Sequence, residues 1–87
     1  MISNQILQNT IEGLKGITRI DFCVMDTDGK PLASTMTEQE NYEEEVLAFV
    51  DSPADSQVVR GYQFFKIFEE HQLEYVLLAN GGSDDVY

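Results

Sequence analysis

The stretch IDFCVMDTDGKPLAST, residues 20–35, restricts the fold more than any other part of the chain. Between Ile20 and Met25 large apolar side chains occupy every second position, the pattern of a β-strand with a buried face. The following DTDG, residues 26–29, predicts a hairpin turn, because glycine takes positive φ without steric cost. Pro31 in the return segment has no backbone N–H to donate, so we expect an edge strand there.

Two segments have the spacing of amphipathic helices. The first covers residues 1–16, with Ser3 as N-cap and Gly16 as the C-terminal stop. Its apolar stripe consists of Ile2, Ile6, Leu7, Ile11 and Leu14. The second follows Thr37 and Glu40, which have capping-box spacing, and ends at DSPADS, where proline removes a backbone donor. Its apolar face carries Tyr42, Val46, Phe49 and Val50.

The last third of the chain predicts a second hairpin. QVVRGYQFFKIF, residues 57–68, is rich in branched and aromatic side chains and predicts one strand. EEHQ is a polar turn, and LEYVLLAN, residues 73–80, is apolar on both faces, which is typical of a central strand. The predicted fold is therefore α+β in the order helix, hairpin, helix, hairpin. We expect an antiparallel sheet of about four strands with helices on one face.

The length of 87 residues predicts a single domain over 1–87. Near the C-terminus, Gly81 and Gly82 break the last strand, Ser83 is a good N-cap, and two aspartates follow it. Such a start of a helix next to the chain end predicts that the domain is an excised fragment of a longer protein.

The net charge of -11, with only five basic residues, excludes a cationic face for nucleic acid and disfavours anionic membranes. The chain has no run long enough to span a bilayer and no signal-peptide pattern, so we expect a cytoplasmic location. Hydrophobic residues make up 43% of the chain, enough for a packed core.

No pattern in the chain predicts catalysis, a metal or a cofactor. The acids of DTDG do not form an EF-hand loop, because position twelve of that loop would be Thr37 rather than glutamate. His71 is the only histidine and lies in a predicted turn without a spaced partner ligand. Cys23 is the only cysteine, on a predicted strand, and is expected to be a buried apolar group rather than a nucleophile.

The candidate binding residues are Arg60 and Gly61. Both fall within the predicted strand of residues 57–68, where a glycine lets a ligand approach the backbone closely. An arginine beside it could hold a carboxylate through two hydrogen bonds. The alternative is an arginine on the outer sheet face that pairs with a nearby acid, and the same alternative holds for Lys66.

With the elements placed, residues 17–35 resemble a known family. A leading helix, an apolar strand, DTDG and a second strand are similar to the start of PAS-like sensor domains. Val24-Met25-Asp26 before the turn resembles the N-terminal sensing region of the carbohydrate diacid regulators, bacterial transcription factors with a PucR-type helix-turn-helix. The resemblance implies a PAS-like fold, a sensing role, and DNA binding by another part of the parent protein.

One segment departs from that family. Where the diacid regulators carry a basic residue and a histidine-containing helix, this chain has MTEQENYEEEVLAF, without a cation.

The predicted function is a non-catalytic ligand-sensing or signal-input domain, with a small carboxylate or sugar acid as the expected ligand. The alternative is a dimerisation or protein-interaction module of roadblock or profilin-like shape without a small ligand. A polar pocket between sheet and helix that holds Arg60 or another cation favours the sensor. A space filled by Phe49, Phe64, Phe65 and Tyr75 favours the interaction module. In either case we expect a homodimer, because the leading helix has a broad apolar stripe.

Overall fold

The computed structural model describes residues 3–36 and 41–80. Its helices and strands are, in chain order, α1 (Asn4–Thr18), β1 (Asp21–Met25), β2 (Pro31–Ser34), α2 (Glu43–Asp51), β3 (Ser56–Val59), β4 (Tyr62–Glu69) and β5 (Gln72–Asn80). The strands form one antiparallel sheet in the order β2-β1-β5-β4-β3. The α+β class, the edge position of β2 and the central position of β5 are confirmed.

The sheet has five strands rather than about four, because the segment of residues 57–68 is not one strand. Arg60 and Gly61 have φ angles of 51° and 84° and form a two-residue turn between β3 and β4. Positive φ at both central residues is typical of the tight turns that match the twist of antiparallel strands. After α2 the chain therefore makes three antiparallel strands in succession, not a single hairpin.

The two helices lie on opposite faces of the sheet, so the prediction of one helix-covered face is wrong. α2 packs over a core of eight buried residues, Cys23, Met25, Tyr42, Val46, Phe49, Phe64, Val76 and Leu78. α1 packs over the other face, where the buried residues are Ile11, Phe22, Val24, Ala33, Tyr75 and Ala79. Successive side chains of β1 and β5 enter the two cores in turn, which is why both strands are apolar on both faces.

α1 begins as predicted, with the Ser3 side chain accepting a hydrogen bond from the Ile6 N–H. It continues past the predicted stop at Gly16, because the left-handed residue that ends it is Arg19, with φ of 61°. The Arg19 N–H donates to the Lys15 carbonyl and closes the last turn. The two additional residues bring Ile17 into the helix.

Polar contacts attach α1 to the β2 edge of the sheet. The Gln8 side-chain amide donates to the Ser34 carbonyl at 2.8 Å and accepts from the Ser34 N–H at 3.0 Å. At the C-terminal end, Lys15 Nζ lies 2.8 Å from the Asp21 carboxylate. The hydrogen bond from Lys15 lowers the pKa of Asp21. Partial burial of the carboxyl group acts in the opposite direction, and a hydrogen bond from Thr35 lowers the pKa further.

The predicted DTDG turn is confirmed and is well bonded. Asp26 Oδ1 accepts the N–H groups of Asp28 and Lys30, each at 2.9 Å, and the Asp26 N–H donates to the Lys30 carbonyl. Gly29 is buried, with φ of 83°. A Cβ at Gly29 would lie 3.0 Å from the Glu43 Cα, so the hairpin tip lies directly against the first turn of α2.

Two predicted features lie outside the described residues. These are the capping box of Thr37 and Glu40 and the C-terminal helix start from Gly81 onward. The Asn41 side chain accepts a hydrogen bond from the Glu43 N–H at the start of α2. Within the described ranges, no helix combines the length and apolar character needed to cross a membrane.

Candidate functional site

Arg60 holds the β3–β4 turn against the start of α2. Its guanidinium carbon lies 4.2 Å from the centre of the Tyr42 ring. Its Nη2 donates to the Asn41 carbonyl at 3.2 Å, and its Nε lies 3.5 Å from the Glu45 carboxylate. The predicted strand position of Arg60 is wrong, and so is the outer sheet face of the predicted alternative, because Arg60 lies in the β3–β4 turn. The nearby acid of that alternative is present as Glu45.

Gly61, the other candidate, supplies the backbone angle of this turn rather than the wall of a pocket. A Cβ placed there would have no heavy atom of the other described residues within 4 Å. Arg60 and Gly61 are therefore adjacent in an exposed turn, and the guanidinium points along α2 toward Tyr42 and Asn41. The role of these two residues in ligand binding stays a prediction.

Lys66 makes the corresponding contact at the other end of α2. Its ammonium group donates to the Ser52 carbonyl and lies 5.0 Å from the centre of the Phe49 ring. A cation is favourable at the C-terminal end of a helix, and the last turn of α2 contains no basic residue of its own. Arg60 and Lys66 thus fasten the two ends of α2 to the β3–β4 hairpin.

The space between the middle of α2 and the sheet is filled by aromatic and branched side chains. Phe49 and Phe64 meet edge to face, with ring centres 5.8 Å apart, and both are fully buried. Tyr42 packs on Tyr62 with ring centres 5.1 Å apart. Phe65 and Tyr75 belong to the opposite face of the sheet, in the α1 core.

A cavity remains between the β1–β2 hairpin and the start of α2, with a volume of about 320 Å³. Its charged residues are Lys30 and Glu43, and its uncharged polar residues are Ser34, Asn41 and Tyr42. The remaining lining residues are Cys23, Met25, Gly29, Pro31, Met36 and Leu78. A volume of this size is at the lower end of small-molecule sites. Sequence patterns did not reveal the cavity, because its walls combine the β1–β2 hairpin and the start of α2 with Leu78 of β5, which is distant in the chain.

The Cys23 thiol is not arranged as a nucleophile. The side chain is 4% exposed, and burial raises its pKa above the ordinary value, opposed by a hydrogen bond with Ser34. Cys23 is paired across the sheet with Leu78, whereas His71 lies in the turn before β5. At about 3.3 Å per residue, seven residues of strand put them on the order of 20 Å apart.

Metal ligation has equally little support in the part of the chain that the structure describes. Among residues 3–36 and 41–80, no three His, Cys, Asp or Glu side chains are grouped so that they could hold an ion. His71 has φ of 68° and is exposed at the β4–β5 turn, as its sequence position predicted.

Two well-exposed apolar side chains lie on the outside of α1; other exposed apolar side chains include Leu47, Val58 and Phe68. Ile17 is 82% exposed and Ile6 is 56% exposed, whereas Leu7 and Ile11 pack on the sheet. We call the residues Ile6, Thr10, Gly13 and Ile17 the outer stripe of α1. The spacing of four, three and four residues places them on one side of the helix. This signal is present in the sequence, but the predicted helix end at Gly16 concealed it.

A second apolar area lies on the same face of the sheet. α1 packs mainly against β1 and β2, which leaves β5, β4 and β3 less covered on that face. We call Val58, Phe65, Ile67 and Leu77 the open sheet half. Phe65 pairs with Leu77 of β5 and with Ser56 of β3, so these three side chains lie on the same face of the sheet. Val58 lies on that face too, because it is two residues after Ser56 in the same strand.

The acids are concentrated elsewhere. α2 carries Glu43, Glu44, Glu45 and Asp51, with Arg60 and Lys66 at its two ends. The outer stripe and the open sheet half contain no ionisable residue. α2 is therefore strongly acidic, whereas the outer stripe and the open sheet half are uncharged areas, although α1 also carries Glu12 and Lys15.

Comparison with known proteins gave no counterpart: no family model, curated protein or solved structure matches the chain.

Proposed function

We propose that this domain is a non-catalytic dimerisation module, of roadblock or profilin-like shape, that associates through its α1 side. The observation that carries the proposal is the outer stripe of α1 next to the open sheet half, two apolar areas without ionisable residues on the α1 side of a strongly acidic molecule. Exposed apolar patches on small domains mark interaction sites, and like charges across an interface oppose association.

The filled interior supports the same function. The sensor hypothesis requires a polar pocket between α2 and the sheet with Arg60 inside it. That space holds Phe49 and Phe64, and the Arg60 guanidinium lies outside over the Tyr42 ring. An α2-to-α2 contact between copies would bring their acidic first turns together, so the α1 side is the favourable one.

Sedimentation equilibrium of the purified chain tests the proposal. We expect a mass twice the 9.9 kDa of one chain at concentrations of tens of micromolar or above. Association should persist at high salt, because an apolar contact between acidic molecules gains from screening of their mutual repulsion. A mass of 9.9 kDa at every concentration up to about a millimolar, a weak limit for a functional contact, would contradict it.

A second candidate function is a cytoplasmic signal-input domain of a bacterial transcriptional regulator, with a PAS-like fold. The cavity beside the β1–β2 hairpin favours it, because Lys30 and Ser34 can bind a small carboxylate or sugar acid. The resemblance of residues 17–35 to the carbohydrate diacid regulators supports it as well, whereas Glu43 in the same wall opposes a dianion.

A thermal-shift screen with dicarboxylates and sugar acids tests this second function. Ligand at about 100 times its Kd should stabilise the domain by roughly 2.7 kcal/mol. Lys30→Met should remove the response and Arg60→Met should keep it, since only Lys30 lines the cavity. The absence of a shift from every anion would count against the sensor function.

A further inference from the structure

We infer that the dimer forms by antiparallel packing of α1 on α1 of a second copy, along the outer stripe. This inference rests on the proposed dimerisation function and specifies its contact. The four stripe positions are separated by four, three and four residues, the spacing of a two-helix seam. Around the helix they lie roughly 160° from Gln8, given 3.6 residues per turn. Since Gln8 bonds the β2 edge, the stripe points away from that edge and into solvent.

The order of the side chains matches an antiparallel pair with twofold symmetry. With the axis midway between Thr10 and Gly13, Ile6 of one copy meets Ile17 of the other, and Thr10 meets Gly13. Both pairings occur twice, as an isologous contact requires. The two most exposed isoleucines of the helix, at 56% and 82%, thereby cover each other at the two ends of the seam.

The centre of the seam allows a close approach. Gly13 lies in the interior of α1, where glycine is unfavourable by about 1 kcal/mol relative to alanine. Among residues 3–36 and 41–80, no atom outside the helix's own turns lies within 4 Å of a Cβ placed there, so no packing contact with these residues requires glycine at this position. Across a seam, the missing side chain leaves room for Thr10 of the second copy, and interhelical distances shorten with small residues at the contact.

Thr10 is prepared for burial. Its hydroxyl donates to the Ile6 carbonyl of its own helix at 2.8 Å, so the seam needs no further partner for that proton and receives the methyl group. The nearest cation, Lys15, is paired with Asp21 on the sheet side of α1. In a chain of net charge -11, this stripe is a surface on which two copies meet without like charges opposite each other.

The first experiment compares the dimer dissociation constants of Ile17→Lys and Val58→Lys by sedimentation. Both residues are exposed apolar side chains that receive the same charge, and only Ile17 belongs to the outer stripe. We expect Ile17→Lys to weaken dimerisation by at least 100-fold and Val58→Lys by less than threefold. The reverse order would overturn the seam and assign the dimer to the open sheet half, while the dimerisation function stands. A monomeric wild-type chain would overturn both.

The second experiment tests the register by cysteine cross-linking. A disulfide requires Cα atoms within about 7 Å, and the native Cys23 is buried. A mixture of Ile6→Cys and Ile17→Cys chains should form a disulfide-linked heterodimer under mild oxidation. Each variant alone should not, because the two copies of residue 17 are roughly 16 Å apart along an antiparallel pair. Cross-linking of each variant alone would overturn the antiparallel arrangement.

The variant Gly13→Ala distinguishes an effect on the contact between the two α1 helices from an effect on the stability of α1 itself. In the dilute, monomeric state this variant should have a higher melting temperature, because alanine favours the helix and has open space. In the same protein, we expect a dimer dissociation constant raised at least tenfold. A higher melting temperature with unchanged dimerisation would contradict the close approach at Gly13.

Discussion

The hairpin tip and α2 meet so closely at Gly29 that substituting this glycine should cost more than its backbone angle alone explains. Gly29→Ala forces alanine into φ of 83°, and it also places a Cβ 3.0 Å from the Glu43 Cα and Cγ and 3.1 Å from the Glu43 carbonyl oxygen. The side chain of Glu43 is exposed and can move, whereas the backbone of the first α2 turn cannot move without displacing Tyr42 from the core.

Gly61 is a matched control for this effect. Its φ is 84°, also in a hairpin turn, but within the part of the chain that the structure describes a Cβ there meets no other atom within 4 Å. Both alanine substitutions reduce the entropy of the unfolded chain by the same amount and carry about the same positive-φ penalty, on the order of 1 kcal/mol. These two contributions cancel in the comparison, so the difference reports the contact with Glu43.

We expect Gly61→Ala to lower the free energy of unfolding by about 1 kcal/mol and Gly29→Ala by about 2–4 kcal/mol, since overpacking adds roughly 1–3 kcal/mol. In a domain of this size each kcal/mol corresponds to a melting-temperature change of about 4–8 °C. Urea unfolding followed by far-UV circular dichroism, at a concentration where the association state is fixed, measures both variants. Equal losses would refute the close approach of the hairpin to α2.

Three further predictions concern single contacts. Lys66→Met keeps the aliphatic stem but loses the hydrogen bond to the Ser52 carbonyl, so we expect a loss of about 1–2 kcal/mol in urea unfolding. His71→Gly should stabilise the fold by about 0.5–1 kcal/mol by relieving positive φ in the β4–β5 turn, and a loss of stability there would contradict the strained geometry. The pKa of Asp21 is lowered by Lys15 in the folded state, so its stabilisation is complete above the ordinary value of 3.8 and is lost as the pH falls through the folded value. Asp21→Asn should therefore be less stable than wild type at pH 6 and lose less stability between pH 5 and pH 2, which acid titrations of the two proteins followed by circular dichroism can measure.

Local patterns predicted the parts of the candidate site that depend on near neighbours. The buried state of Cys23, the exposed turn at His71 and the hairpin at Asp26–Gly29 each follow from residue type and alternation within a few positions. The role of Arg60 could not be predicted in this way. A run of branched and aromatic residues on both sides of Arg60-Gly61 has the composition of one strand, and only the ladder between β3 and β4 shows that the chain reverses there.

The outer stripe of α1 had a signal in the sequence, but the boundary of the helix determined whether it could be recognised. Gly16 is a common stop residue, yet the left-handed position is occupied by Arg19. Because the helix extends to Thr18, Ile17 is a helical residue and lies on the same side of α1 as Ile6. Helix ends depend on the tertiary contacts of the last turn, here Lys15 with Asp21.

The kinds of element, the alternation of β1 and β5, the first turn and the α+β class follow from periodicity and from the backbone preferences of neighbouring residues. Long-range packing, in contrast, places the helices on opposite faces, sets Gly29 against Glu43, and brings Arg60 and Lys66 to the ends of α2. An apolar strand with two buried faces is compatible with either placement of a helix. The choice is made by contacts between residues far apart in the chain, and those contacts leave the outer side of α1 exposed.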